Sequence, residues 1–271
     1  MEPFFLAGER GRLFLVHHPP ASGAREDVLV HLPAFCEEMN KSRRMVALRA
    51  RALAASGVGV VVPDLYGTGD SEGDFGHATW TGWHEDLAAV VDWARGAGYR
   101  RVLAWGLRGG ALLVEHLRAR APLAGVVLWN PVVDGRNWLS QFLRVRTVAR
   151  SFSGEAQETV KGLLGVLQGG QAIEVAGYEL APELAIPLAG RRLGGETPLG
   201  EVPVAWLQVS PEPQNGLPPP AAAAAARLAE GGARLTETQV AGDPFWTTQE
   251  ITTVPELIEA TRSAVQHMLR G

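Results

Sequence analysis

A strand-like run, Val102-Leu103-Ala104-Trp105, leads into Gly106-Leu107-Arg108-Gly109-Gly110 and then into a helical pattern that reaches about residue 120. A strand, a Gly-x-x-x-Gly turn and a helix make a sharp bend that thrusts its middle residue outward, the arrangement that presents a nucleophile to a reacting carbonyl. The residue thrust out here is Arg108. A guanidinium stays protonated and has no lone pair to offer, so Arg108 cannot be the nucleophile. A fixed cation in this place holds negative charge instead, beside a helix N-terminus whose free amides already favour an anion. Two acids, Glu37 and Glu38, with Asn40 close by, follow the strand-like run 28–32 and are expected to approach the same pocket from a loop. An unpaired buried charge is costly. The expectation is therefore at least one contact between Arg108 and a carboxylate, Glu38 before Glu37; a bidentate pair would hold the guanidinium in place and leave its remaining N–H groups facing a cavity.

A nucleophile at such a bend works with a histidine and an acid. Val240-Ala241-Gly242-Asp243-Pro244-Phe245-Trp246 contains no histidine, and the one later histidine, His267, lies deep in the terminal helical pattern. No catalytic residue is assigned, and Trp246 is expected to line the pocket.

Other groups of the right types are present. Cys36 with His77 or His84 would make a thiol–imidazole pair. Ser71 in Gly69-Asp70-Ser71 is better explained by the tight turn, which its hydroxyl satisfies locally. Glu38, Asp64 or Asp243 would activate water in a hydrolase of acyl or related small substrates. The histidines are scattered singly, so no metal site is expected. Gly106-x-x-Gly109-Gly110 lacks the Gly-Lys-Ser/Thr ending of a phosphate loop, so no nucleotide cofactor is expected either.

The elements that position these residues follow from periodicity. Residues 3–7 and 12–18 read as an antiparallel hairpin across Gly8-Glu9-Arg10-Gly11. Strands are expected at 28–32, 58–63, 102–105, 126–129, 203–209 and 233–240, and helices at 41–56, 80–95, from the Arg108 turn to about 120, and at 219–230. A final helix is expected after a capping box, Thr253-x-x-Glu256. This βαβ rhythm implies a parallel sheet with right-handed crossovers. It breaks over residues 131–200, where helices are expected at roughly 138–151 and 154–168, as an insertion over the carboxyl ends of the strands.

With these elements in place the chain resembles the α/β-hydrolase superfamily over nearly its whole length. Pro63-Asp64-Leu65-Tyr66-Gly67-Thr68-Gly69-Asp70-Ser71-Glu72-Gly73 is similar to the family's loop after its fourth strand. More narrowly, Glu37-Glu38-Met39-Asn40-Lys41-Ser42-Arg43-Arg44-Met45, Trp105-Gly106-Leu107-Arg108 and Pro244-Phe245-Trp246 resemble the exosortase A system-associated hydrolase 2 family. The resemblance implies an α/β fold with a mostly parallel sheet, an N-terminal antiparallel hairpin and a helical cap from about 131 to 200, in one domain spanning 1–271. It also implies a bacterial protein of the loci for exopolysaccharide synthesis and sorting of surface proteins. The resemblance implies a nucleophile at the place of Arg108, a histidine in the stretch 240–246, where Pro244 stands at the vacant place, and an acid at Glu212 in Ser210-Pro211-Glu212-Pro213, which has no histidine to orient. Arg108, Glu212 and Pro244 thus mark a triad without its chemistry, and the residues speak against a serine-hydrolase mechanism. The leading expectation is a non-catalytic pocket-binding or accessory protein; the alternative is the acid-assisted hydrolase.

Composition agrees with such a protein. The chain has 271 residues, 46% of them hydrophobic and 20% charged, enough for a sizeable core. The formal net charge of −4 with scattered arginines argues against nucleic acid as a partner. The single cysteine, Cys36, cannot form an internal disulfide. Neither a secretion signal nor an apolar stretch long enough to span a membrane is evident, so a cytoplasmic location is expected. The partner expected is a small or anionic ligand, without a cofactor; no protein partner is named.

Overall fold

The computed structural model describes residues 1–153 and 158–270. The chain opens with the hairpin β1 (Glu2–Ala7) and β2 (Arg12–His18), then alternates: β3 (Asp27–Leu32), α1 (Cys36–Ala55), β4 (Gly59–Pro63), α2 (Trp80–Gly96), β5 (Arg101–Leu107), α3 (Val114–Arg120) and β6 (Leu123–Trp129). Residues 131–200 fold into α4 (Gly135–Ser153), α5 (Val160–Gln168), the small hairpin β7 (Ile173–Val175) and β8 (Tyr178–Leu180), and α6 (Pro182–Ala189). The alternation then resumes with β9 (Pro203–Ser210), α7 (Pro219–Glu230), β10 (Arg234–Ala241) and α8 (Pro255–Arg270). The main sheet runs β1-β2-β4-β3-β5-β6-β9-β10. β2 is antiparallel to β1 and β4, and every pairing beyond β4 is parallel.

The central strands are covered on both faces, which explains their unbroken apolar runs. Val28, Val30 and Leu32 of β3 pack with Trp83, Leu87 and Val90 of α2 in one layer. Leu29, with Leu103, Trp105 and Trp129, packs with Met45 and Leu53 of α1 and Leu257 of α8 in the other. Successive strand residues point to opposite faces, so each strand feeds both layers. Side chains such as Leu29, Leu53 and Leu103 are fully buried, each removal from water contributing about 1.5–3 kcal/mol.

Two expectations need correction, and the reading of 131–200 is extended. Helix α1 begins at Cys36, not near Lys41, so Glu37, Glu38 and Asn40 sit in its first turns rather than in a loop. The reason is electrostatic: two carboxylates in a first turn complement the positive end of the helix dipole. Within 131–200, the β7–β8 hairpin and α6 were not anticipated. The helical pattern expected from 154 starts on residues 154–157, which lie outside the described residues; helix is present from Val160. Finally, no Thr253–Glu256 capping box forms, because α8 starts at Pro255, a residue suited to the first helical position and lacking an N–H of its own.

Candidate functional site

The bend after β5 is built by close backbone approach. A Cβ on Gly106 would come within 2.8 Å of the Ala111 Cα, and one on Gly110 within 2.1 Å of the Leu32 carbonyl oxygen, so neither position accommodates a side chain without backbone movement. Between them Arg108 adopts φ +50°, the left-handed region that costs an L-residue roughly 1–2 kcal/mol. Its carbonyl accepts a hydrogen bond from Val132 N at 3.0 Å, which helps hold the strained turn against the chain leaving β6.

The guanidinium is held from three sides. Nε donates to Glu38 Oε1 at 2.9 Å and Nη1 donates to the Asn130 carbonyl, also at 2.9 Å. Its carbon lies 5.1 Å from the centroid of the Trp246 ring, a cation–π contact. The contact with Glu38 is single and not bidentate: Oε2 of Glu38 is buried without a hydrogen-bond partner, and Nη2 of Arg108 takes part in neither bond. The side chains remain 21% and 19% exposed, so this is a half-buried pair. Glu37 and Asn40 do not bond to Arg108, although Glu37 borders the larger of the cavities beside it. Both meet the Tyr178 hydroxyl, which donates to Glu37 Oε2 at 3.4 Å and accepts from Asn40 Nδ2 at 3.0 Å. Burial, with Cys36 and Glu37 beside it, pushes the Tyr178 phenol up to about 12, so the hydroxyl keeps its proton.

Asn130 is the participant that the sequence reading missed. It follows β6 at φ +40°, and its side chain closes two bonds with Val209 of β9, accepting from N at 2.7 Å and donating to O at 3.0 Å. Asparagine tolerates the left-handed region, and that tolerance at a strand end was the available signal. Trp246 is set by the turn after β10, where Pro244 O accepts from Thr247 N at 2.8 Å. Lys41 fastens that turn to α1 by donating to the Thr248 carbonyl at 3.0 Å.

Two cavities flank this cluster. One, of about 380 Å³, is walled by Phe35, Trp138, Phe142, Tyr178 and Trp246, with Glu38 at its side. The other, of about 220 Å³, is lined by Arg108 with Asn137, Gln141, Val132 and Pro220. Trp138 and Gln141 of α4 border both. The larger therefore offers mostly apolar, flat surface with Glu37, Glu38 and Lys41 also in its lining, and the smaller offers the Arg108 guanidinium and two amides.

The remaining candidates fall outside this arrangement or are already engaged. Cys36 borders the larger cavity, but burial, with Glu38 and Glu37 nearby, pushes its thiol well above the usual range, so it is not a thiolate. Neither histidine named for it is its hydrogen-bond partner: His77 lies exposed in the turn Phe75–His77, and His84 stacks on His116 at 3.5 Å. Ser71 is a turn residue, donating to Asp64 O at 2.6 Å and accepting from Phe14 N at 2.8 Å. Asp64 accepts from Asp70 N and Arg43 and borders a different cavity, while Asp243 and Glu212 are exposed. Glu38 is thus the one acid of the water-activating set that borders the aromatic cavity. Among the described residues no cluster of three metal-ligating side chains occurs, and no helix is long and apolar enough to cross a membrane.

Comparison with known proteins comes in two forms. Residues 27–164 match the hydrolase family described as "Serine aminopeptidase, S33". Solved structures are similar over essentially the full length. Est1E from Butyrivibrio proteoclasticus, in a complex with ferulic acid, has a TM-score of 0.74 at 15% identity, covering 99% of this chain and 100% of that one. The α/β hydrolase GrgF from Penicillium sp. sh18 gives 0.66 at 14%, covering 100% and 99%. A hydrolase from Pseudomonas aeruginosa PA01 gives 0.62 at 17%, again covering 100% and 99%. No curated protein matches the chain.

Proposed function

The chain belongs to the serine aminopeptidase hydrolase family, with the α/β-hydrolase fold, and from that premise we propose a member that binds a small ligand without forming an acyl-enzyme. One observation carries the reading: the strained bend that would present a nucleophile holds an arginine committed to Glu38, Asn130 and Trp246. An acyl transfer needs a lone pair at that point and a base beside it. Arg108 offers no such lone pair, and among the described residues no histidine lines either cavity beside it.

The two cavities support a ligand of two parts. Its acceptor head, a carboxylate or a similar anion, meets Arg108 and the amides of Asn137 and Gln141; its apolar body fills the aromatic cavity. Residues 131–200 act as the cap of a single domain spanning 1–271, since α4 supplies Trp138, Gln141 and Phe142 to the cavity walls. The resemblance of 37–45, 105–108 and 244–246 to the exosortase A system-associated hydrolase 2 family supports a role as an accessory protein of bacterial exopolysaccharide and protein-sorting loci, acting in the cytoplasm.

The test combines labelling and binding. The protein should leave p-nitrophenyl esters intact and resist fluorophosphonates, and Arg108→Ser should create no esterase, because the base is still missing. In calorimetry, 3-phenylpropionate should bind and lose at least tenfold in affinity in Arg108→Met. Stoichiometric labelling of one serine overturns the reading. A second reading rests on the unpartnered Oε2 of Glu38, a carboxylate oxygen free to activate water. It requires a turnover, found by screening acyl and glycosyl substrates, that Glu38→Gln abolishes.

A further inference from the structure

The larger cavity beside Arg108, of about 380 Å³, has more chemistry in its lining than an apolar body uses. Besides Phe35, four rings border it from three places in the fold: Trp138 and Phe142 from α4, Tyr178 from β8, and Trp246 from the turn after β10. Trp138 and Phe142 stack at 5.2 Å, and Tyr178 meets Phe142 at 6.4 Å with its plane turned by 61°. An aromatic ring attracts a cation over its face, and the attraction grows where water is excluded. The chain already uses this on Trp246, where the Arg108 guanidinium lies 5.1 Å from the ring centroid.

The charged groups in the lining are unequally engaged. Glu38 Oε1 accepts from Arg108 Nε at 2.9 Å. Lys41 Nζ donates to the Thr248 carbonyl at 3.0 Å and to the Thr247 carbonyl at 3.4 Å, so its ammonium is held on that turn. Glu37 is different. Among the described residues it has no ion pair, and it accepts only from the Tyr178 hydroxyl, at 3.4 Å. Its place in the first turn of α1 accounts for a negative charge, but not for an unpaired carboxylate bordering a cavity of rings. Because Glu37 is exposed, it stands at the cavity mouth. A neutral guest gains nothing from it, whereas a cationic guest gains both the carboxylate and the rings. A compact ammonium is strongly hydrated, but a trimethylammonium group carries its charge under methyl groups that suit apolar walls. A cavity of roughly 150 Å³ holds benzene, so this one has room for such a group and its linker.

We propose that the larger cavity is a subsite for a quaternary ammonium group, which makes the ligand of the Arg108 cleft a zwitterion. The ammonium end stands on the cavity's own walls, and the anionic end rests on the function proposed above.

Calorimetry with two matched carboxylates, 4-(trimethylammonio)butyrate and 5,5-dimethylhexanoate, isolates the charge, since they differ only in nitrogen against carbon. The parent should bind the first at least about tenfold more tightly. Glu37→Gln should cut that preference about threefold, the scale of an exposed ion pair. Phe142→Leu, which keeps most of the apolar volume but removes a ring, should cut it by a similar factor while circular dichroism stays native. Equal binding of the two carboxylates overturns the subsite, as does a preference that neither substitution changes. If neither carboxylate binds, the Arg108 reading has failed, and choline against its neutral isostere 3,3-dimethylbutan-1-ol tests the ammonium subsite alone. A preference of about tenfold for choline then upholds it, and equal binding overturns it.

Discussion

Two tight turns carry charged residues into the carboxyl end of the sheet, and they treat them oppositely. In the turn after β4, Ser71 both donates and accepts, Asp64 accepts from Asp70 N and Arg43, and Glu72 accepts from Arg12 through both its carboxylate oxygens. At the bend after β5, Glu38 Oε2 has no donor and one guanidinium nitrogen stands outside both bonds. A saturated network specifies one backbone; an unsaturated one leaves groups for something else to satisfy. The first turn is architecture and the second is where the proposed ligand site is built, although by composition Asp64 and Ser71 look the more chemical.

The largest effect that probes this contrast is one of pH. Asp86 supports the saturated turn by accepting from Tyr66 N at 2.8 Å, and burial pushes its carboxyl up from 3.8 to about 6. The folded state therefore binds this proton more tightly than the unfolded chain, and stability is lost as pH rises from about 4 to about 6. Relative to Asp86→Asn, the parent should lose about 3 kcal/mol over that interval and stay level above it, as urea titrations at each pH will report. A flat difference would remove Asp86 from the account.

Next comes Ser71→Ala. It deletes both hydroxyl bonds and strands the Phe14 N–H, at an expected cost of about 2 kcal/mol in the same urea assay. Arg108→Met should cost less, about 1–2 kcal/mol, because the pair with Glu38 is a fifth exposed and falls short of the ~3–5 kcal/mol of fully buried pairs. A larger loss from Arg108→Met than from Ser71→Ala would reverse the contrast. Smallest of all, Glu37→Gln should change stability by less than about 0.5 kcal/mol, since an exposed acceptor 3.4 Å from the Tyr178 hydroxyl is weakly held. It should also leave 3-phenylpropionate affinity within twofold.

The contrast also marks what was legible in the sequence. The switch between periods of two and three to four residues was enough for the sheet, its flanking helices and the bend at Arg108. The start of α1 was not, because its N-cap is Phe35, which makes no side-chain capping bond, and Cys36 enters the helix at φ +53°. No Ser, Thr, Asp or Asn announced the helix, so its acidic first turn read as loop. The β7–β8 hairpin was hidden for a related reason. Ala176 and Gly177 both take positive φ, a two-residue turn in which alanine gives no warning. Partners such as Asn130 and Trp246 were beyond reach individually, since their meeting at Arg108 depends on strand order and not on spacing.

That dependence has a consequence for biosynthesis. The groups around the guanidinium come from positions 38, 108, 130 and 246, so the cluster is made of contacts between distant parts of the chain. Such contacts form late, and during synthesis the N-terminal part of the sheet can assemble while the ribosome still holds the rest. Until Trp246 has emerged and the turn after β10 has docked on α1 through Lys41, Arg108 has no ring beneath it. A nascent chain stopped before Asp243 would carry the bend and every lining residue of the smaller cavity but lack the Trp246 wall of the larger one, so the aromatic cavity is completed only with the final stretch of translation.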